Sequence, residues 1–153
     1  MTGSSIKAVA EIVINVRDIS AMTNFYREVL GFAFHSQFPE TDPTFVFLTI
    51  AALDSPLGRG GHPQLFALVD PRRHAFTSDA YLGLDNDRSP LNHLAFEIDS
   101  AAFTSEMRRL EALDLAVRVF DFPHMQAKGL FFNDPEGNLI ELICHTSQVE
   151  KAD

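Results

Sequence analysis

The spacing of hydrophobic and polar positions predicts the elements of the first half of the chain. Residues 11–18, EIVINVRD, alternate between apolar and polar side chains, which is typical of a β-strand with one buried face. Residues 18–32 carry apolar side chains at helical spacing, with Asp18 placed to cap the helix at its start and Gly31 placed at its end. Three further apolar runs then predict strands and give the order βαβββ: 32–38, 45–51 and 64–69.

The same order of elements recurs in the second half of the chain. Residues 71–90 lose the periodicity and collect Pro, Asp, Asn and Arg, which predicts a linker. Residues 92–99, NHLAFEID, alternate as a strand does, and residues 100–113 have helical spacing. Three more apolar runs predict the remaining strands of a second βαβββ segment: 116–120, 129–133 and 138–144.

The repeat pairs polar side chains on the strand faces that alternate away from the helices. Glu11 pairs with His93 at an offset of 82 residues (93 − 11), and Gln64 pairs with Glu141 at an offset of 77 residues (141 − 64). The difference of five residues (82 − 77) corresponds to an ordinary change in loop length. The sequence therefore predicts one domain of two structural modules and a linker, with these bounds: residues 1–153, modules 8–70 and 91–146, linker 71–90.

Glu141 interrupts an otherwise apolar strand. In the stretch GLFFNDPEGNLIELICH, residues 129–145, the segment NDPEGN predicts a hairpin turn between two strands. Strand alternation places Glu141 on the same face as Leu139 and Ile143. Because a carboxylate among apolar side chains must be neutralised, paired or bound to a cation, Glu141 is a candidate functional residue.

Glu11, His93 and Glu141 together make a candidate metal site. Two carboxylates and one imidazole suit one divalent ion of Mn, Fe, Co, Ni, Zn or Mg, and three protein ligands leave positions open for water or substrate. Gln64 is expected to contact the substrate, because a neutral amide oxygen binds metal weakly. The alternatives are a Glu141 carboxylate satisfied by backbone or water at the sheet rim, a hydrogen-bonded core histidine at His93, and an exposed glutamate at Glu11.

Composition restricts the partners of the protein. A formal net charge of −9 and a pI near 5.0 argue against nucleic acid, which requires patches of Lys and Arg. The single Cys144 excludes an internal disulfide and favours a reducing compartment, and alternation turns its side chain away from Glu141. The sequence shows no leader and no run of 18 apolar residues, so a soluble cytoplasmic protein is expected.

Several stretches resemble the vicinal oxygen chelate superfamily, which includes glyoxalases, extradiol dioxygenases, methylmalonyl-CoA epimerases, and fosfomycin and bleomycin resistance proteins. The resemblance covers residues 10–145 and is carried by VRDISAMTNFYREVLGF, LNHLAFEID and FFNDPEGNLIEL. It implies an α+β glyoxalase-like fold in which two βαβββ modules form a cupped mixed β-sheet. It also implies that the four paired positions line the cup, where two to four of them hold a divalent metal.

The resemblance also implies roles for individual residues. Glu11 takes a place usually filled by His, whereas His93 and Glu141 match the His and Glu of the second module. The stretch HMQAKGLFFNDPEGNLIE, residues 124–141, is similar to the extradiol dioxygenase signature. His124 matches the His of that signature, but Phe131 stands where a Tyr is usual, so a phenolic proton donor is missing there.

Two function hypotheses follow, and a regulatory or structural module is a third. The first is a metal-dependent lyase, isomerase or extradiol-type dioxygenase acting on a small substrate that chelates the metal through vicinal oxygens, with Glu141 or Glu11 as base and His124 as proton shuttle. The second is a metal-free protein that sequesters a ligand, as bleomycin resistance proteins do. A homodimer is expected by the same resemblance. Four phenylalanines are expected to line the cup and contact an apolar or aromatic part of the substrate: Phe45, Phe47, Phe66 and Phe131.

Overall fold

The structure is a computed structural model, and the chain divides into two compact units, residues 1–83 and 84–153. Most of the predicted linker, from residue 75 to residue 90, lies outside the described residues. Among the helices that the structure describes, none is long and apolar enough to cross a membrane. The structure describes four ranges of the chain: residues 10–50, 64–74, 91–123 and 126–145.

The first unit contains the predicted βαβββ order. Its sheet has the strand order β1-β4-β3-β2, in which β1 and β4 are parallel and the other pairs are antiparallel. The mixed sheet and its helix confirm the predicted module. The elements are β1 (Glu11–Asn15), α1 (Ile19–Glu28), β2 (Ala33–Phe38), β3 (Phe45–Thr49) and β4 (Leu65–Val69).

Helix α1 begins where the sequence predicts and ends at Glu28, shortly before the predicted end at Gly31. The Asp18 side chain accepts a hydrogen bond from the Ala21 backbone N–H at 2.9 Å, which satisfies one of the free amides of the first turn. After the last turn, Gly31 adopts a φ of +72°, a conformation that glycine reaches without steric cost. The apolar side of the helix lies on the sheet, where the Tyr26 and Phe66 ring centroids are 4.5 Å apart.

The second unit repeats this arrangement. Its sheet has the strand order β5-β8-β7-β6, again with one parallel pair, β5 and β8. A short 3-10 turn, Ser100–Ala102, precedes its helix; Asp99 is at the N-cap position of this turn and its side chain makes no capping hydrogen bond. The elements are β5 (Leu94–Glu97), α2 (Phe103–Ala112), β6 (Arg118–Phe122), β7 (Ala127–Asn133) and β8 (Leu139–His145).

The predicted turn NDPEGN joins β7 to β8. The buried Asp134 carboxylate accepts hydrogen bonds from the backbone N–H groups of Glu136 at 3.0 Å and Asn138 at 2.9 Å. Gly137 adopts a φ of +87°, which a side chain rarely tolerates. This turn fixes the register of the hairpin, in which Glu141 lies directly opposite Phe131.

The register of the sheets corrects the predicted pairing of Gln64 with Glu141. In the second unit Glu141 pairs with Ala95. The first strands of the two modules are related by the offset of 82 residues, so the equivalent of Ala95 in the first unit is Val13 (95 − 13). Val13 pairs with Ala67, so the last strands are related by an offset of 74 (141 − 67). The predicted offset of 77 was wrong by three residues, and an odd error in register exchanges the two faces of a strand.

Asp70, at the end of β4, is a buried carboxylate of the first unit. It accepts hydrogen bonds from the Arg72 guanidinium, at 2.9 Å to each carboxylate oxygen, and from the Arg72 backbone N–H at 3.1 Å. The side-chain hydrogen bonds from Arg72 lower the pKa of Asp70, in opposition to the effect of burial. The ionised form of Asp70 therefore stabilises the folded state above the ordinary pKa, and this contribution is lost as the pH falls through the lowered pKa.

Asp70→Asn is expected to lower the free energy of unfolding by about 1–3 kcal/mol at pH 7, because it removes the charge from a buried hydrogen-bonded carboxylate. The difference between variant and wild type should shrink as the pH falls below about 4. Urea denaturation across this range measures it. The control is Asp42→Asn, whose ion pair with Arg73 is exposed and is expected to contribute less than about 1 kcal/mol. If Asp70→Asn lowered the free energy of unfolding by the same amount at every pH, the stabilising role of the ionised Asp70 carboxylate would be contradicted.

Candidate functional site

A cavity lies on one face of the sheet in the second unit. Strand β8 alternates so that Leu139, Glu141 and Ile143 line the cavity, whereas Cys144 is buried on the opposite face. The orientation of Cys144 away from the cavity agrees with the sequence prediction. The cavity volume is about 580 Å³, which is within the range of small-molecule sites.

Glu141 and His93 meet at the polar end of this cavity. Glu141 is only 3% exposed, and its Oε2 atom lies 3.2 Å from Nε2 of His93. His93 directly precedes β5 and shares its face with Ala95, the register partner of Glu141. The second carboxylate oxygen, Oε1, has no hydrogen-bond partner among the described residues. Two of the predicted metal ligands are thus adjacent, and one buried oxygen atom is left for a ligand.

The hydrogen bonding of His93 restricts the position of its proton. Nδ1 lies 2.7 Å from Oδ1 of Asn92, an oxygen that only accepts hydrogen bonds. A neutral imidazole has one N–H, which cannot serve both Asn92 and Glu141. The Nε2–Oε2 contact therefore requires a second proton, carried by the imidazole or by the carboxyl group, or a cation held between the Nε2 lone pair and the carboxylate.

Gly129 makes room for the Glu141 carboxylate. It lies on β7, and a Cβ atom added there would clash with Oε1 of Glu141 and would lie 2.8 Å from Cε2 of Phe131. Real Cβ atoms essentially never approach other atoms that closely, so a larger residue would displace the carboxylate or the ring. Gly129 was not predicted from the sequence, because a need for space depends on which residue lies on the neighbouring strand.

Aromatic rings form the wall of the cavity. Phe131 makes edge contacts with Phe120 at 5.4 Å, with Phe122 at 6.2 Å and with His93 at 5.9 Å between ring centroids. The structure therefore places Phe131 at the cavity, where the sequence predicts it. Phe120, Phe122 and Arg118 also line the cavity and were missed, although their spacing of two residues on one strand is a usable signal.

The phenylalanines predicted in the first unit have different surroundings. Phe45 and Phe47 stack at 4.6 Å and are half-buried, on the face of β3 opposite the buried Val46 and Leu48. Phe66 is fully buried, and its ring packs against Tyr26 of the helix. The structure thus corrects the assignment of Phe66 to the cavity wall: this residue is core.

Gln64 precedes β4 and alternates with Phe66, on the face covered by the helix. Its predicted contact with substrate therefore loses its basis. Glu11 is exposed at the start of β1 in the first unit, so the predicted ligand set that adds it to His93 and Glu141 combines two units and stays a prediction. His124 lies outside the described residues.

A larger cluster of metal-binding groups is absent from residues 10–50, 64–74, 91–123 and 126–145. In these ranges no group of three or more His, Cys, Asp or Glu side chains is placed to hold one metal ion. Within the cavity of the second unit the ligand set consists of His93 and Glu141, and water or substrate atoms would have to complete the coordination of any ion bound there.

Comparison with known proteins connects this fold to a described family. Residues 8–142 match the family described as the Glyoxalase/Bleomycin resistance protein/Dioxygenase superfamily. A search of curated proteins gave no match.

Solved structures with the same fold have different functions. Lactoylglutathione lyase from Agrobacterium tumefaciens is 22% identical, with a TM-score of 0.67 over 92% of this chain and 96% of that one. A mutant of the fosfomycin resistance protein FosX from Listeria monocytogenes, complexed with Mn(II) and 1S,2S-dihydroxypropylphosphonic acid, is 18% identical, with a TM-score of 0.65 over 92% and 94% of the chains. TnmS3, an antibiotic binding protein from Streptomyces sp. CB03234, is 18% identical, with a TM-score of 0.63 over 94% and 100%.

Proposed function

Because the chain belongs to the Glyoxalase/Bleomycin resistance protein/Dioxygenase superfamily, we propose that it is a divalent-metal-dependent enzyme acting on a small substrate through neighbouring oxygens. The observation that carries the proposal is the buried Glu141 carboxylate, whose Oε1 lacks a partner among the described residues while Oε2 lies 3.2 Å from His93. The fold also contains the Mn(II)-complexed FosX structure, which shows that a related scaffold holds a metal.

The donor atoms of the site fit a divalent ion. A carboxylate oxygen and an imidazole nitrogen suit Mn²⁺, Fe²⁺, Co²⁺, Ni²⁺, Zn²⁺ or Mg²⁺. Asn92 accepts the Nδ1 proton of His93, which leaves the lone pair of Nε2 for a metal ion. Histidines that bind a metal generally make a hydrogen bond of this kind through their other ring nitrogen. Gly129 leaves room for the carboxylate itself, since a Cβ atom there would clash with Oε1. His93 and Glu141 are therefore the residues that would hold the ion.

A metal bound here would polarise a carbonyl or enolate oxygen of the substrate and acidify an adjacent C–H group or a bound water. The residues of the chain supply the rest of the chemistry. The Glu141 carboxylate, which lines the polar end of the cavity, would accept a proton from a substrate bound there. The Phe131 ring makes an edge contact with the His93 ring at that end, at 5.9 Å between centroids, and adds an apolar surface beside the polar pair. His124 remains the proposed second proton carrier.

This chemistry is compatible with a lyase, an isomerase or a dioxygenase. The predicted homodimer and the predicted cytoplasmic location also stay predictions. The phenol that the dioxygenase signature usually has is replaced by Phe131, so a reaction that needs only one proton acceptor, such as enediolate formation, is the simpler proposal.

A metal-free binding protein is the second candidate. Two observations favour it: the aromatic wall of Phe120, Phe122 and Phe131, and the fold that the chain shares with an antibiotic binding protein. Such a wall binds flat ligands by stacking and needs no metal. In this case a proton would lie between Nε2 of His93 and Oε2 of Glu141, which are 3.2 Å apart.

Metal content separates the two candidates. The untagged chain is purified without chelator and examined by elemental analysis, followed by calorimetric titration with each of the six metals. The proposed enzyme should contain or bind about one divalent ion per site, and a bound ion should raise the melting temperature. An absence of metal, heat and thermal shift across the whole series would leave the metal-free binder as the function.

A further inference from the structure

One row of residues crosses the sheet of the second unit beneath the cavity. Arg118 on β6 pairs with Phe131 on β7, and Phe131 pairs with Glu141 on β8. Neighbouring strands are about 4.8 Å apart, so the backbones of Arg118 and Glu141 are separated by about 10 Å. The cavity thus has a cationic side chain at one end, the His93–Glu141 pair at the other, and an aromatic ring between them.

The Arg118 guanidinium is available to a ligand. It lines the cavity, and the described residues offer it neither an ion pair nor a hydrogen bond. By contrast, Arg109 donates to Glu106 at 2.7 Å, and Arg72 donates to Asp70 at 2.9 Å. A guanidinium presents a planar fork of donors that matches a carboxylate or phosphonate with two parallel hydrogen bonds.

The side chains next to Arg118 favour an aromatic ligand body. Phe120 and Phe122 follow Arg118 on the same face of β6, and both rings make edge contacts with Phe131. Phe120 is 50% exposed, so part of its ring is open to a ligand. A flat ring placed against this wall would cover the exposed part of Phe120 and gain aromatic contacts.

We propose that the cavity binds a small aryl compound whose oxyanion pairs with Arg118 while its ring lies against Phe120, Phe122 and Phe131. This inference rests on the proposed function only at the polar end, where Glu141 and His93 would engage the opposite end of the same molecule. The anion is placed at Arg118, because an anion at the other end would meet the Glu141 carboxylate wherever no cation is bound there. The substrate class is therefore an aryl acid.

The test compares an acid with its uncharged analogue. Binding of 3-phenylpropionate and of 3-phenylpropanamide is measured by calorimetry on the full chain, as purified and with Mn²⁺ added. Wild type is expected to bind the acid about tenfold more tightly than the amide, as one charge-assisted contact near the surface provides. Arg118→Gln should reduce affinity for the acid to that for the amide and leave the amide unchanged. The same measurement with 2-phenylethylphosphonate identifies which oxyanion is preferred.

Two variants serve as controls. Lys128→Gln removes a cation from the neighbouring strand, where Lys128 lies near Asp121, and should change neither affinity. Phe120→Ala should weaken the acid and the amide equally. Equal binding of acid and amide by wild type, or no binding of any of the probes, would overturn the proposal. A preference for the acid without Mn²⁺ binding would defeat only the metal-dependent function, whereas Mn²⁺ binding without that preference would defeat only the anion site.

Discussion

Glu141→Gln is expected to lower the affinity for Mn²⁺ by one or more orders of magnitude while changing the free energy of unfolding of the metal-free protein by no more than about 1 kcal/mol. The amide keeps the volume of the side chain but removes the negative charge that a divalent ion requires. The variant is expected to be as stable as wild type or more stable, because the buried Oε1 has no partner among the described residues. Calorimetric titration and chemical denaturation of the metal-free proteins measure the two effects.

Glu97→Gln is the matched control for Glu141→Gln. Glu97 is an exposed carboxylate on β5 of the same unit, and it contacts His145 at 3.3 Å. Its substitution should change stability by less than about 1 kcal/mol and leave Mn²⁺ affinity as in wild type. Unfolding of Glu141→Gln with unchanged affinity in its folded fraction would show that Glu141 has a structural role only.

Gly129→Ala is expected to weaken Mn²⁺ binding by about one to two orders of magnitude, although Gly129 has no side chain to bind metal. The added methyl group would occupy the space of Oε1 of Glu141 and of the Phe131 ring, so the carboxylate must move. Crowding of this kind also costs about 1–3 kcal/mol of stability. Affinity and stability are measured on the same preparation, as for Glu141→Gln.

Gly137→Ala separates the two consequences of Gly129→Ala. Gly137 has open space around it but a φ of +87°, so alanine there is strained by about 1 kcal/mol and touches no part of the cavity. This variant should lose stability and retain Mn²⁺ affinity. If Gly129→Ala behaves in the same way, Gly129 serves the fold and does not position Glu141.

Periodicity in the sequence was sufficient to predict the two βαβββ modules, because each element has its own local pattern. Asp18 caps the start of helix α1, and Gly31 follows its last turn. The turn that sets the register of β7 and β8 contains Asp134 and Gly137. The apolar neighbours of Glu141 on its strand face also identified that residue as unusual. These features depend on residues close together in sequence.

Features that depend on strand pairing were harder to predict. Gln64 was assigned to the wrong face. Two apolar strands that are aligned by the polar residues at their ends fit in more than one register, and the sequence alone does not select the correct one. Phe66 resembles a wall residue in sequence, but the helix covers its face of the sheet. Gly129 and Arg118 matter through residues on the neighbouring strands, Glu141 on β8 and Phe131 on β7, which one strand alone does not reveal.

The most direct test of the metal site is pulsed electron paramagnetic resonance of Mn²⁺ added to the full chain. If Nε2 of His93 and the Glu141 carboxylate hold the ion, the spectrum should show ¹⁴N coupling from one imidazole. This coupling should disappear in His93→Gln and persist in His35→Gln, since His35 is an exposed histidine in the first unit. Bound Mn²⁺ without ¹⁴N coupling, or coupling that survives in His93→Gln, would contradict the proposed site.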